Sequence, residues 1–197
     1  MKKIFYLFAT IHVLTSCSEK KLIVMSKGPA EINTNTKIIK ATDGTAHEEK
    51  VVTVTGDKVV FKLSTPAGEA TVELLENGLY VVNVKNDTII GSYQNYGDPK
   101  LSQNVVTQIN LKRRIDSLQL LVEGKNVSKE NRNFFILPNK AEKITENTES
   151  MVVGPYHRMR SVEKVNGKAP EVYRFYSIKE IREMIVKMQS LTVAPKI

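Results

Sequence analysis

From Val52 to Tyr93 apolar and polar positions alternate with a period of two, and turn residues interrupt the alternation at short intervals. Val52 and Val54 alternate with polar neighbours before Thr55-Gly56-Asp57. Val59, Phe61 and Leu63 do the same before Ser64-Thr65-Pro66-Ala67-Gly68, as do Ala70, Val72 and Leu74 before Asn77-Gly78. Tyr80, Val82 and Val84 follow, and after Asn86-Asp87 the run Thr88 to Tyr93 reads as one more strand. Upstream, Lys21 to Met25 is a short apolar run stopped by Gly28-Pro29, and Asp43-Gly44 separates Lys37–Ala41 from His47–Thr55. Short alternating runs divided by Asp-Gly and Asn-Gly dipeptides predict hairpin-linked neighbours. The expectation is an antiparallel β-meander or small sandwich, with one face on a core and the other in solvent.

Beyond Asp98-Pro99, a good N-cap and first-turn pair, the spacing changes to three and four. Leu101, Val105, Ile109, Leu111, Ile115, Leu118 and Val122 predict a helix over 98–123, with a slip at Ile109–Leu111 and Gly124 as its left-handed cap. Its apolar stripe suits a core face better than a coiled-coil seam, because Lys112 and Asp116 interrupt it. Asn133–Leu137, Ser150–Val153 and Glu171–Tyr176 read as strands, and Asn139–Glu149 and Glu163–Pro170 as polar loops. A second helix is expected over 178–189. Ser177 and Glu180 make a capping box, and Tyr176 is placed to staple onto Ile181. Ile178, Ile181, Met184, Ile185 and Met188 line one face, opposite Lys179, Arg182, Glu183 and Lys187. The fold class is therefore α+β, a β-rich N-terminal half followed by an α/β part with two main helices. The chain divides into a leader (1–16), a linker with the first strand (17–36), an antiparallel β region (37–96) and an α/β region (97–197).

The leader carries Lys2 and Lys3 ahead of an apolar stretch, Ile4 to Leu14. That stretch is far shorter than the ~20 residues a helix needs to cross a bilayer, and it fits a signal peptide. It ends in Leu14-Thr15-Ser16-Cys17, an aliphatic residue and two small ones before the single cysteine of the chain. This segment resembles the lipobox of bacterial lipoproteins. The resemblance implies diacylation of the Cys17 sulfur, cleavage before Cys17 and acylation of the new amine. Each buried methylene contributes about 0.8 kcal/mol, so several such chains would hold the protein on a membrane essentially permanently. Ser18, rather than Asp, follows the cysteine, which in many Gram-negative lipoproteins permits transfer to the outer membrane. Some Bacteroidota lipoproteins carry an acidic stretch at this point as a surface signal, and Ser18-Glu19-Lys20-Lys21 has one acid and two lysines. The expected location is the outer membrane of the cell envelope, lipid-anchored, with either face open. Asn86-Asp87-Thr88 and Asn126-Val127-Ser128 match glycosylation sequons, which are idle in a bacterium.

An acylated Cys17 leaves no thiol for a disulfide or for a cysteine-based zinc or redox site. The formal charge of +8 falls with the loss of Lys2 and Lys3 to a modest excess, whereas nucleic-acid binding would want basic residues gathered on one face. Lys112-Arg113-Arg114 and His157-Arg158-Met159-Arg160 are too short and too poor in aromatics for nucleic-acid binding. No HExxH, nucleophile elbow, Ser-x-x-Lys, phosphate loop or dinucleotide fingerprint occurs, so no metal, cofactor or catalytic residue is assigned. His47-Glu48-Glu49 has the wrong spacing for two ligands and reads as a strand start beside solvated acids. Two stretches remain as binding candidates. Tyr93 and Tyr96 flank amides, a combination suited to sugar or peptide contacts. Tyr156, His157, Arg158 and Arg160 form a loop able to bind an anion or shuttle a proton. The function expected first is a non-enzymatic binding or scaffolding subunit of an envelope complex with a protein partner. A glycan- or peptide-binding module using both stretches comes second. A hydrolase centred on His157 comes third and requires a carboxylate and a nucleophile within reach of that ring.

Overall fold

The computed structural model describes residues 18–96, 108–157, 162, 164 and 167–193. Twelve strands and two helices follow in order among them. They are β1 (Glu19–Lys27), β2 (Ala30–Asn33), β3 (Ile38–Ala41), β4 (His47–Thr55), β5 (Val59–Thr65), β6 (Gly68–Leu74), β7 (Gly78–Asn83), β8 (Ile89–Gln94), α1 (Gln108–Val122), β9 (Asn133–Ile136), β10 (Lys140–Thr145), β11 (Met151–Val153), β12 (Val172–Ser177) and α2 (Ile178–Val193). The α+β class is observed, with a β-rich front and helices toward the C-terminus.

Three four-stranded sheets are stacked. A front sheet has the order β2-β3-β5-β6, a central sheet β10-β7-β1-β4 and a back sheet β11-β12-β8-β9. Successive side chains on a strand point to opposite faces, and β1 and β7 use both faces for burial. Leu22, Val24, Tyr80 and Val82 meet Ile39, Phe61, Leu63 and Leu74 of the front sheet. Their neighbours Ile23, Met25, Leu79 and Val81 meet Ile89, Phe134, Tyr173 and Phe175 of the back sheet. The opposite face of the back sheet carries Ile90, which packs with Leu111, Ile115, Leu121, Ile181 and Ile185 of the two helices. The helices thus form a fourth layer. Lys112, Arg113 and Arg114 lie on the exposed side of α1.

The strand pairing is not the meander that the turn residues predict. Of the expected successive hairpins, β5–β6 forms, whereas β4 and β7 both leave for β1. Asn77-Gly78, the strongest hairpin signal, passes the chain from the front sheet to the central one. Asp43-Gly44 does the same between β3 and β4. The β1–β7, β3–β5 and β11–β12 pairs are parallel. Nor does every strand show one face to solvent: all six residues of β7 are buried. A strand covered on both faces reads as a continuous apolar run, which is what Leu79 to Val82 is.

The β-rich and α/β halves interlock. β10 joins β7 at one edge of the central sheet, and β8 takes β9 and β12 as neighbours in the back sheet. β10 lies inside the stretch expected to be a polar loop. As an edge strand it buries only Ile144 fully and keeps Lys140 exposed. Lys and Glu at β10 and β4, the two edges of the central sheet, discourage pairing with further chains.

The helix expected over 98–123 is seen as α1 from Gln108 onward; residues 97–107 lie outside the described residues. α2 runs a few residues past its expected end. Its capping box is formed: Ser177 Oγ accepts from Glu180 N at 3.2 Å, and Glu180 Oε2 accepts from Ser177 N at 2.7 Å. Tyr176 and Ile181 share the helix-facing core. Ser177→Ala is expected to cost about 1 kcal/mol, read in thermal denaturation as a Tm lower by about 2–4 °C.

Candidate functional site

Five segments converge at one end of the stack because of their strand directions. β4 is antiparallel to β1, so His47 starts where Lys27 ends β1. β7 is parallel to β1 and delivers Lys85 to the same end, just past Asn83. β12 is antiparallel to β8, so α2 begins beside Thr88, whose carbonyl accepts from Ile178 N at 3.0 Å. β11 is parallel to β12 and brings Gly154, Pro155 and Tyr156 alongside. Together they enclose a cleft of about 480 Å³ lined by Lys27, Thr45, His47, Lys85, Asn86, Asp87, Tyr156, Ser177, Lys179, Glu180 and Glu183.

Within it, His47 Nε2 lies 2.7 Å from Glu49 Oε1, while His47 Nδ1 is buried without a hydrogen-bond partner among the described residues. The Tyr156 ring stands edge-on to the imidazole at 6.4 Å between centroids. Backbone at Gly154 closes over the His47–Glu49 pair, and a Cβ there would strike both side chains. Tyr156 is 74 % exposed, and the Glu180 carboxylate beside its hydroxyl, with Glu183 behind, raises the phenol pKa. Lys85 is only 7 % exposed. Burial lowers its pKa from the usual lysine range, Lys27 adds to this, and Glu180, Glu49 and Asp87 pull the other way.

That depression makes a stability prediction. With the folded pKa below the unfolded one, the penalty of burying the ammonium is full below the folded value. It is relieved as pH rises toward about 10.4, the unfolded lysine value. Lys85→Met is therefore expected to raise stability at pH 7, with the gain shrinking toward pH 10. Urea denaturation at both pH values checks it; a gain that grows with pH would contradict the assignment.

The other expected site residues are dispersed. Tyr93 and Tyr96 lie at the far end of the back sheet from the cleft and face opposite ways. Arg132 stacks on the Tyr93 ring at 3.7 Å, and Tyr173 meets it edge-on at 5.8 Å. The Tyr96 hydroxyl instead accepts from Arg174 Nη2 at 3.0 Å, off the other face of β12. The two tyrosines therefore do not share a surface with each other or with Tyr156. His157 is exposed, and its ring has no hydrogen-bond partner among the described residues, so the carboxylate and nucleophile that a hydrolase there requires are not seen. Arg158, Arg160 and Cys17 lie outside the described residues.

A second polar cluster borders a cavity of about 420 Å³. Glu171 pairs with Arg132 and accepts from Thr145 Oγ1 at 3.1 Å and Ser150 Oγ at 3.0 Å, and the Arg132 guanidinium also donates to Tyr173 Oη at 2.8 Å. The Glu171 carboxylate is thus engaged by Thr145 of β10 and by the residues just before β9 and β11, and the cluster ties those segments together. Among the described residues no group of three or more acids, histidines and cysteines is arranged to hold a metal ion, and no helix is long and apolar enough to cross a membrane.

Sequence reasoning did not single out His47, Lys85 or Glu180 as neighbours. Lys85 had one legible sign, a lysine two residues past the end of β7. The chemistry that the cleft offers is recognition: lysines and carboxylates both line it, with one exposed phenol, and suit a polar group bearing both charges. Comparison of the chain with protein-family models, with curated proteins and with solved structures found no match.

Proposed function

We propose that the chain is an envelope lipoprotein, anchored in the outer membrane through acyl chains on Cys17, which works as a non-enzymatic binding subunit and receives its partner at the Lys85–Tyr156 cleft. The observation that carries this reading is the single cysteine, set in Leu14-Thr15-Ser16-Cys17 immediately before the first strand. The cleft supports the binding role: it is open, lined by both signs of charge, and holds an exposed aromatic residue, the type enriched where one protein grips another.

Cys17→Ala is expected to move the protein from the membrane to the soluble fraction or to leave it unprocessed. Unchanged fractionation and processing would refute the anchor. A pull-down of the tagged full-length protein from detergent-solubilised membranes should recover an envelope protein that Tyr156→Ala and Glu183→Lys release. Recovery of the protein alone in several mild detergents would count against the binding role. A glycan or peptide as the occupant of the same cleft is a second reading, favoured by Tyr156. It predicts that a zwitterionic muropeptide shifts the tyrosine fluorescence of the wild type but not of Tyr156→Phe carrying Glu183→Lys.

A further inference from the structure

Resting on the anchor reading, we infer that the domain sits flush on the bilayer in one fixed orientation. The 56–58, 75–77 and 146–149 turns meet the lipid headgroups, and the Lys85–Tyr156 cleft points away from them. Only Ser18 separates Cys17 from β1, and Ser18 is already part of the fold. Its carbonyl accepts from Gly56 N at 3.2 Å, and its hydroxyl donates to Asp57 Oδ1 at 3.1 Å. The next two residues are held as firmly. Lys20 is fully buried with its ammonium on the Gly56 carbonyl, and Lys21 Nζ donates to Thr148 O at 2.8 Å. A flexible tether of n residues lets a domain wander over roughly 5–6 Å × √n; here no such length exists between the acylated residue and a central strand.

The register names the surface that faces the lipid. Glu19 pairs with Thr55, so the β4–β5 turn lies at the anchored end. Lys20 pairs with Gly78, Leu74 with Val59 and Thr145 with Leu79, which bring the β6–β7 turn and the turn after β10 to the same end. Leu75, 60 % exposed, projects there as the apolar residue of the patch. The charges at this end include Asp57, Glu76 and Glu146 as well as Lys58 and Lys143, so attraction to anionic lipid does not hold it; the acyl chains do. At about 3.3 Å per residue, β1 places Lys27 and the cleft about 26 Å from Glu19.

The test uses acylated full-length protein, its acyl mass on Cys17 verified by mass spectrometry, reconstituted into phosphatidylethanolamine and phosphatidylglycerol vesicles that carry a headgroup quencher. A fluorophore is placed on a cysteine introduced by Lys58→Cys, Asn77→Cys or Asp43→Cys in turn. Quenching at positions 58 and 77 should exceed that at 43 several-fold, and a flexible Gly/Ser segment inserted between Cys17 and Ser18 should erase the contrast. Equal quenching at all three positions in acylated protein overturns the orientation while leaving the anchor standing. Absence of acyl mass on Cys17 overturns the anchor, and this inference with it.

Discussion

Asn83→Ala is expected to destabilise the protein by about 3 kcal/mol, more than most single replacements of a polar residue. Asn83 is completely buried at the end of β7. Its amide donates to Asp87 O at 2.8 Å and to Ile136 O at 3.0 Å, and its Oδ1 accepts from Lys85 N at 3.1 Å. One side chain thus closes the β7–β8 turn, joins the central sheet to β9 of the back sheet, and fixes the backbone that carries Lys85 into the cleft. Alanine would remove all three of these hydrogen bonds from a fully buried position. Each buried unsatisfied group costs about 1–3 kcal/mol, and partial relaxation keeps the total below their sum. Urea titration measures it. A loss under about 1 kcal/mol would mean that water reaches these groups and that the joint is not sealed.

Gly91→Ala is expected to be comparably damaging for the opposite reason, excess volume. Gly91 pairs with Phe175 across β8 and β12, and a Cβ at position 91 would come within 3.0 Å of Phe175 Cε1, Cζ and Cδ1. Phe175 is itself wedged, stacking on Phe134 at 6.3 Å and buried among Ile23, Met25 and Val81. The ring has no free direction to retreat. Overpacking of this kind costs about 1–3 kcal/mol, with the upper end expected here. The cause is separable by a second change. Phe175→Leu alone should destabilise, but combined with Gly91→Ala it should cost less than the two effects added, a coupling that a double-mutant cycle reads directly. Simple additivity would show that the damage arises elsewhere.

The residues alone revealed pieces better than partners. Ser177 and Glu180 announced the start of α2 because a capping box is a local device, complete within one turn of chain. Val59 to Leu74 announced the β5–β6 hairpin for the same reason. Asn77-Gly78 misled because its turn chemistry specifies a reversal of direction and not the sheet that receives the next strand. What decides the receiver is that Leu79 to Val82 is apolar on both faces and gains most from the middle layer. β10 escaped notice because an edge strand needs little apolar surface; Lys140, Glu142 and Lys143 look like loop residues until β7 supplies their ladder. The cleft was legible only in part. Tyr156 stood out as an aromatic in a polar loop, whereas His47, Lys85 and Glu180 come together through pairings far apart in the chain. Tyr93 was conspicuous, and its ring is spent under Arg132 inside the fold.

The parallel pairing of β1 with β7 sets a timetable for the chain. β1 emerges early in synthesis with Leu22, Ile23, Val24 and Met25 in succession, yet Lys20 waits for Gly78 and its back face waits for Tyr173 and Phe175. Until then β4 can cover one edge of β1, but its other edge and its back face stay open beside the residue proposed to be acylated. Contacts so distant in sequence make folding slow, and an uncovered apolar face and strand edge invite aggregation in the meantime. A chain of this design gains from shielding of β1 until its last strand is delivered.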